Sequence, residues 1–300
     1  MESVIRLDRL VKAYGPRRGV VDLSLEVHAG EVFGYLGPNG AGKSTTIRLL
    51  VDLIRPTGGS IRVLGGDPRA GGTVLRARIG YLPGDFVVGA RQRVGEYLTF
   101  LAGLRGGAGQ ARIGELAERL DLDLTARVGT LSKGNRQKVG LVQAFMHEPD
   151  LLILDEPTSG LDPVVQQTFL SMVAEAKAAG QTVFMSSHIL SEVEQVADRV
   201  AIIRDGALVT VDSVVNLRAR AVRRVQVTFA TPVPVSEFAG LPGVDSVTVD
   251  GPVLRCRVTG SPDALIKTAA QHSIVDLLSD EPALEELFLA YYEGRDHVAA

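Results

Sequence analysis

This chain carries the segment Gly37-Pro38-Asn39-Gly40-Ala41-Gly42-Lys43-Ser44, which fits the pattern G-x-x-x-x-G-K-S/T at every fixed position. Such spacing is typical of a loop that binds phosphate groups. Its glycines allow the backbone to bend with the N–H groups pointing inward, as a polyphosphate requires. Lys43 adds a positive charge for the β- and γ-phosphates, and the hydroxyl of Ser44 is a ligand for magnesium. The segment therefore predicts a nucleotide-binding site.

The residues on either side of this phosphate loop support the same interpretation. Glu31 to Leu36 is predicted as a strand that enters the loop, and Pro56 ends the element that follows it. That element is predicted as a helix because apolar residues recur on one face, at Ile47, Leu50, Val51 and Ile54. A helix that begins at the loop directs its positive end towards bound phosphates.

Composition restricts the class of protein to which the chain can belong. Its 300 residues allow one large or two modest domains, and an apolar fraction of 45% is enough for a core. No apolar run approaches the about 18 residues that span a bilayer, no charged-then-apolar leader opens the sequence, and Cys256 is the single cysteine. We therefore expect a soluble cytoplasmic protein. The net charge of −3 argues against non-specific binding of nucleic acid.

A second informative stretch is Leu151 to Glu156, in which four apolar residues precede two carboxylates. Such a run predicts a strand buried on both faces. Asp155 then lies at the carboxyl end of that strand, where open α/β sheets bind their ligands. Asp155 is placed to hold magnesium through water, and Glu156 to polarise an attacking water. The alternative, two solvated carboxylates at the start of a loop, fits poorly with a phosphate loop in the same chain.

Two further residues have both a functional and a structural interpretation. His188 follows a predicted strand, Thr182 to Ser186. Beside a γ-phosphate it would donate to developing charge, whereas a lone histidine more often caps or packs a helix. Tyr14 precedes the turn signal Gly15-Pro16, in a region to about residue 30 that is predicted as antiparallel β structure. Its ring either stacks on adenine or covers the sheet.

Between these stretches lies the segment Leu131-Ser132-Lys133-Gly134-Asn135, directly before a predicted helix. It is a second small-residue loop at a helix N-terminus, and hence a second candidate anion site. Here the sequence resembles the ATP-binding cassette subunits of ABC transporters, whose signature is L-S-G-G-Q. The resemblance covers about residues 3 to 215. It implies an α/β fold of the P-loop NTPase type, with a mixed sheet core, an antiparallel β subdomain and an inserted helical subdomain.

The resemblance also implies which residues bind and hydrolyse ATP. The residues expected to contact ATP within one chain are Tyr14, Gly37, Pro38, Asn39, Gly40, Ala41, Gly42, Lys43, Ser44 and Thr45. Magnesium is expected at Ser44 and Asp155. Glu156 would be the general base, and Lys43 and His188 would be the other catalytic residues.

The partners that the resemblance implies are a second cassette subunit and a transmembrane permease. Ser132, Gly134 and Asn135 are expected to contact ATP held by the second subunit, most simply in a homodimer. No nucleic acid is expected. The chain would then lie at the cytoplasmic face of the cell membrane, bound peripherally through the permease.

Two segments depart from the family pattern. Lys133 and Asn135 stand where glycine and glutamine are commoner, but the serine and the following glycine of the signature are intact. Gly84 stands where the family usually has a glutamine that touches magnesium and the interface with the membrane subunit. Either Asp85 replaces that glutamine as a metal ligand from one residue further on, or water completes the magnesium shell.

The predicted domain boundary lies at Ser213, with the cassette over residues 1–213 and its helical subdomain at about 86–150. Beyond it, a basic junction that includes Arg218 and Arg224 is interpreted as a solvated connector. The order β-α-β-β-α-β then predicts a small α+β ferredoxin-like domain over residues 214–300, with an added helix from Pro282. We expect this domain to have an accessory or regulatory role.

Together these features predict an ATP-hydrolysing subunit that dimerises around two ATP molecules and drives a separate permease. The tail at Leu284 to Leu289 resembles that of bacterial drug and antibiotic exporters, which favours export of a drug, antibiotic or lipid-like substrate. The alternatives are a soluble cassette ATPase not tied to transport and a cassette that senses ATP without hydrolysing it. Intact Lys43, Glu156 and His188 argue against a sensor.

Overall fold

The computed structural model describes residues 2–15, 17–86, 91–220 and 222–280. The chain divides into two compact units, Met1–Val211 and Asp212–Ala300. Each unit has a hydrophobic core of its own. The first unit carries both candidate anion loops and the two carboxylates, so its architecture positions the site.

The first unit consists of nine strands and seven α-helices among the residues described. Its strands are β1 (Ser3–Tyr14), β2 (Arg17–His28), β3 (Val32–Leu36), β4 (Gly58–Val63), β5 (Ile79–Leu82), β6 (Leu151–Asp155), β7 (Thr182–Ser187), β8 (Arg199–Arg204) and β9 (Ala207–Ser213). Its helices are α1 (Lys43–Leu50), α2 (Pro68–Ala77), α3 (Val94–Leu104), α4 (Ile113–Arg119), α5 (Lys133–Phe145), α6 (Pro163–Ala178) and α7 (Leu190–Val193).

A six-stranded sheet in the order β5-β6-β7-β3-β8-β9 forms the centre of this unit. Neighbouring strands from β5 to β8 in that order are parallel. Every residue of β3, β6 and β7 is buried, which explains the apolar character of their sequences. Because the carboxyl ends of parallel strands meet at one edge of a sheet, the phosphate loop, the two carboxylates and His188 come together there.

A second sheet, β2-β1-β4, confirms the antiparallel β structure predicted for the N-terminal region. Leu23, Leu25 and Val27 of β2 are buried, and the residues between them are exposed, as the alternating sequence predicts.

Asp205 and Gly206, which join β8 to β9, have φ of 52° and 80°. Two positive φ values are typical of a type I′ hairpin turn, the turn that Asp-Gly favours.

Helices α3, α4 and α5 form the helical region that the sequence predicted between β5 and β6. Helix α5 approaches β5 closely, since a Cβ at Gly140 would lie 2.4 Å from Cδ1 of Leu82.

Helix α2 was not predicted. Asp67 caps it and Pro68 opens it, but Gly72, with φ of 53°, interrupts the helical backbone and obscures its periodicity.

The second unit contains α8 (Val214–Arg220), β10 (Val222–Phe229), β11 (Val244–Asp250), β12 (Val253–Thr259), α9 (Asp263–Ala269) and β13 (Ile274–Ser279). Its antiparallel sheet has the order β11-β12-β10-β13, which is the predicted ferredoxin-like arrangement. The helix predicted near Val235 to Leu241 is wrong, because Pro234 and Gly240 confine this segment to one 3₁₀ turn, Val235–Glu237. The helix predicted from Pro282 lies outside the described residues.

No helix within the described ranges is long and apolar enough to cross a membrane.

His147, between α5 and β6, is held neutral by its surroundings. Its Nε2 lies 3.2 Å from the carbonyl oxygen of Ile79, and its Nδ1 is buried without a partner among the described residues. Burial, assisted by the charge of Arg105, lowers the pKa of His147 to about 4. Between about pH 4 and the unfolded pKa of about 6.5, the unfolded state binds more protons. The stability that the neutral ring contributes is therefore complete above this window and is lost as the pH falls through it.

We expect His147→Gln to make the fold less sensitive to acid, because glutamine can donate to Ile79 but does not titrate. The free energy of unfolding in urea should fall less for the variant than for the wild type between about pH 6.5 and about pH 4. If the unfolding free energies of the two proteins fall equally over this pH range, His147 is not the buried neutral group that the structure indicates.

Candidate nucleotide and catalytic site

The phosphate loop lies between β3 and α1, with the backbone that its glycines predict. Gly40 and Gly42 have φ of 84° and 104°, in the left-handed region that favours glycine. A Cβ at Gly42 would also lie 2.5 Å from the carbonyl oxygen of Gly19. Residues 38–40 are exposed at the rim. Since α1 begins at Lys43, its N-terminal N–H groups adjoin the loop.

Lys43, Glu156 and His188 form one contact row beside this loop, here named the catalytic row. The Lys43 side chain is only 6% exposed, and its Nζ pairs with Oε1 of Glu156 at 3.0 Å. Nζ also donates to the carbonyl oxygens of Gly37 at 2.6 Å and Pro38 at 3.3 Å. Oε2 of Glu156 lies 2.7 Å from Nδ1 of His188. The fold thus brings together the three predicted catalytic residues.

Asp155, the predicted magnesium ligand, is buried at the end of β6. Its Oδ1 accepts a hydrogen bond of 2.6 Å from Oγ of Ser186. A Cβ at Gly84 would lie 3.1 Å from its Oδ2, so residue 84 borders the carboxylate, as the family pattern implies. Burial and the charge of Asp155 raise the pKa of nearby Tyr81 to about 12. Asp85 is exposed.

Tyr14 is half exposed and lies close to the start of α1. A Cβ at Gly19 would lie 2.9 Å from Cε2 of Tyr14 and 3.3 Å from Cγ2 of Thr45. The Nζ of Lys12 lies over the ring, 5.1 Å from its centroid. The ring is therefore placed beside the residue that follows Ser44, on an accessible surface that a base can reach.

The residues of the second loop, Ser132 to Asn135, begin α5. Ser132 caps the helix by accepting a hydrogen bond from N–H of Asn135. Nζ of Lys133 donates to Oγ of Ser159 at 2.9 Å, and a Cβ at Gly134 would lie 2.5 Å from the carbonyl oxygen of Gly160. Among the described residues, the polar contact of this loop outside itself and its helix goes to Ser159, and no hydrogen bond goes to the phosphate loop.

Sequence reasoning missed two buried residues that contact Glu156. Oγ of Ser186 accepts a hydrogen bond of 3.0 Å from the Glu156 N–H, and Nε2 of Gln137 donates to the Glu156 carbonyl oxygen at 3.1 Å. Ser186 was not identified because its partner lies on a neighbouring strand, and strand order is not visible in a sequence. For Gln137 the sequence did carry a signal. This glutamine precedes the apolar face of α5, where a side-chain amide without a hydrogen-bond partner is costly to bury.

These residues fit a nucleoside triphosphate with a divalent cation. The inward-bent loop and the buried ammonium of Lys43 suit phosphate oxygens, and the Ser44 hydroxyl and Asp155 carboxylate are hard oxygen ligands. No group of three acidic, histidine or cysteine side chains able to hold a metal occurs among the described residues. Magnesium commonly takes one or two carboxylates and completes its shell with phosphates and water, so this donor set suits it.

The fold and the site define a P-loop nucleotide-binding cassette. The family profile described as "ABC transporter" matches residues 20–159. Bacitracin transport ATP-binding protein BcrA of Bacillus licheniformis is 39% identical over 214 residues, which are 69% of this chain and 69% of that protein. This chain belongs to the ABC transporter family, as an ATP-binding subunit.

Two further relatives extend the comparison. Nod factor export ATP-binding protein I of Paraburkholderia xenovorans (strain LB400) is 34% identical over 269 residues, 86% of each chain, so the match reaches into the second unit. The solved structure of an ATP-binding subunit of an ABC transporter superposes with a TM-score of 0.68 and 31% identity. That match covers 72% of this chain and 92% of the other.

We expect Gly42→Ala to destabilise the first unit and to weaken ATP binding, because a Cβ here meets the Gly19 carbonyl as well as an unfavourable φ. The left-handed backbone alone costs about 1–2 kcal/mol, and the clash adds about 1–3 kcal/mol. Gly30→Ala is the matched control, since Gly30 has φ of 73° but nothing within 4 Å of an added Cβ. If Gly42→Ala and Gly30→Ala lose the same unfolding free energy in urea, the close approach of Gly42 to the Gly19 carbonyl makes no contribution.

Proposed function

We propose that this subunit hydrolyses ATP and thereby drives a separate membrane permease. The observation that carries the proposal is the catalytic row, which places a carboxylate between a buried ammonium and an imidazole beside the phosphate loop. In this proposal Glu156 accepts a proton from the attacking water. Lys43 binds the β- and γ-phosphates, and His188 orients the second oxygen of Glu156.

Magnesium would neutralise charge on the phosphate oxygens, held by Ser44 and, through water, by Asp155. Gly84 offers no ligand of its own, so either Asp85 or water completes the shell. Tyr14 would stack on the adenine. Its half-exposed ring beside Thr45 supports this role.

We further propose that the active site is completed by a second copy of the subunit. Support comes from the two anion-seeking loops of one chain: Lys43 contacts Glu156 and Lys133 contacts Ser159, but no hydrogen bond among the described residues joins one loop to the other. One ATP needs both faces of its phosphates neutralised, and a head-to-tail pair with two-fold symmetry supplies the second loop from the partner. Ser132, Gly134 and Asn135 would then contact ATP held by Lys43 of the other copy.

We assign residues 1–213 to the cassette, with the helical subdomain at about 86–150, and residues 214–300 to an accessory or regulatory domain. The functions for which these relatives are named, bacitracin transport and Nod factor export, support a permease that exports an antibiotic, drug or lipid-like substrate. The subunit would bind that permease from the cytoplasmic face of the membrane.

We expect Glu156→Gln to bind ATP normally but to hydrolyse it about 10²–10⁴ times more slowly, the usual contribution of a positioned general base. Phosphate release and ATP binding would be measured on the full chain. Glu118→Gln, on the exposed side of α4, is the control and should retain turnover. Near-normal hydrolysis by Glu156→Gln would remove Glu156 from the mechanism.

The shared site is tested with a mixed dimer in a Glu156→Gln background, in which one protomer carries Lys43→Ala and the other Ser132→Arg. If sites are shared, one composite site keeps an intact Lys43 from one chain and an intact Ser132 from the other, and it should trap ATP. If each chain formed its own site, both sites would be broken.

Counting occluded ATP per mixed dimer distinguishes the two arrangements. We expect about one per dimer, as the two-fold arrangement requires. A homodimer carrying both substitutions in each chain is the control and should trap none. Absence of trapped ATP in a correctly assembled mixed dimer would contradict the shared site.

A further inference from the structure

Glu156 has a backbone conformation that is unusual for a glutamate. Its φ is 49°, in the left-handed region, where the Cβ of an L residue crowds the neighbouring carbonyl. A residue held in this region persists only when its surroundings fix it. The contacts of its peptide groups therefore decide where its carboxylate points.

Both backbone groups of Glu156 are held by buried polar side chains. Its N–H donates to Oγ of Ser186 at 3.0 Å. Its carbonyl oxygen accepts from Nε2 of Gln137 at 3.1 Å, and the same nitrogen lies 3.0 Å from the carbonyl oxygen of Pro157. Gln137 is 3% exposed, so water cannot replace these bonds.

Helix α5, which carries Gln137, holds the same segment at further points. Lys133 donates to the hydroxyl of Ser159, and Gly134 packs against the carbonyl of Gly160. On the other side, Oγ1 of Thr158 donates to Oε2 of Glu192 at 2.6 Å. Residues 156–160 are thus held by α5, β7 and α7, and Gln137 is the residue of α5 that bonds to Glu156 itself.

We propose that Gln137 is a positioning residue for ATP hydrolysis. It holds Glu156 in the left-handed conformation that directs one carboxylate oxygen to Lys43 and the other to His188. Gln137 does not touch the reacting atoms in this role, because its amide is engaged by two carbonyl oxygens. The inference rests on the proposed function, in which Glu156 is the general base.

The test replaces Gln137 with methionine, which has a similar length and no N–H groups. In the full chain with excess magnesium and ATP, kcat should fall about 10- to 100-fold, as expected when a reacting group is misplaced by about 1 Å. KM and the affinity for ATP should change by less than about threefold, because the phosphate loop is unaffected. Unchanged kcat in a folded Gln137→Met protein would overturn the inference.

A double-mutant cycle with Glu156→Gln separates positioning from general damage. In the Glu156→Gln background, Gln137→Met should lower the residual single-turnover rate by less than about twofold, since no base remains to be positioned. If Gln137→Met lowers the rate equally in the wild-type and Glu156→Gln backgrounds, the inference is overturned but the proposed function is not. Near-normal turnover by Glu156→Gln itself would overturn the proposed function, and the inference with it.

Two further variants secure the result. Gln181→Met is the matched control, because Nε2 of Gln181 also donates to a loop carbonyl, that of Pro149, but at the opposite end of β6. It should retain kcat. If Gln137→Met does not fold, Gln137→Asn takes its place in the same cycle, because the shorter amide cannot reach both carbonyls. The same losses are expected for it, and their absence would overturn the inference.

Discussion

The ion pair between Lys43 and Glu156 is the interaction on which the arrangement of the site depends. It joins the loop after β3 to the end of β6, and these two strands are not neighbours, because β7 lies between them. Strand β7 therefore supplies contacts to both sides. The Ser187 carbonyl oxygen accepts from N–H of Gly37, and Ser186 bonds to both Asp155 and Glu156. Moving β7 would disturb the phosphate loop and the carboxylates together.

Burial explains why so many polar contacts converge on this edge of the sheet. A buried ammonium or carboxylate is costly unless it is paired and its hydrogen bonds are complete. Lys43 meets this requirement with two loop carbonyls and Glu156, and Asp155 meets it in part with Ser186. Since every polar group shares a partner with the next, the site is a network in which the loss of one group affects the others.

The sequence predicted the parts of the site that depend on local pattern. The phosphate loop is contiguous, and its glycines are required by the φ values and close approaches of the loop itself. The two carboxylates follow directly from a buried strand. Ser186 was beyond such reasoning, because it lies 31 positions from Asp155 on a strand whose neighbours a sequence does not show. Gln137 carried a signal of burial, but not of its partner Glu156, 19 positions away. Helix α2 was missed for a different reason, namely the kink at Gly72.

The backbone at Glu156 illustrates why a functional site departs from the rules that predict ordinary structure. Glycine would adopt a φ of 49° without strain, but glycine has no carboxylate to place between Lys43 and His188. The chain therefore needs a glutamate in a conformation that suits glycine. Local strain of this kind is sustained only by contacts elsewhere. Here the hydroxyl of Ser186 and the amide of Gln137 provide them, one on each side of the residue. Both side chains are buried for the same reason, since exposed partners would exchange these bonds for water.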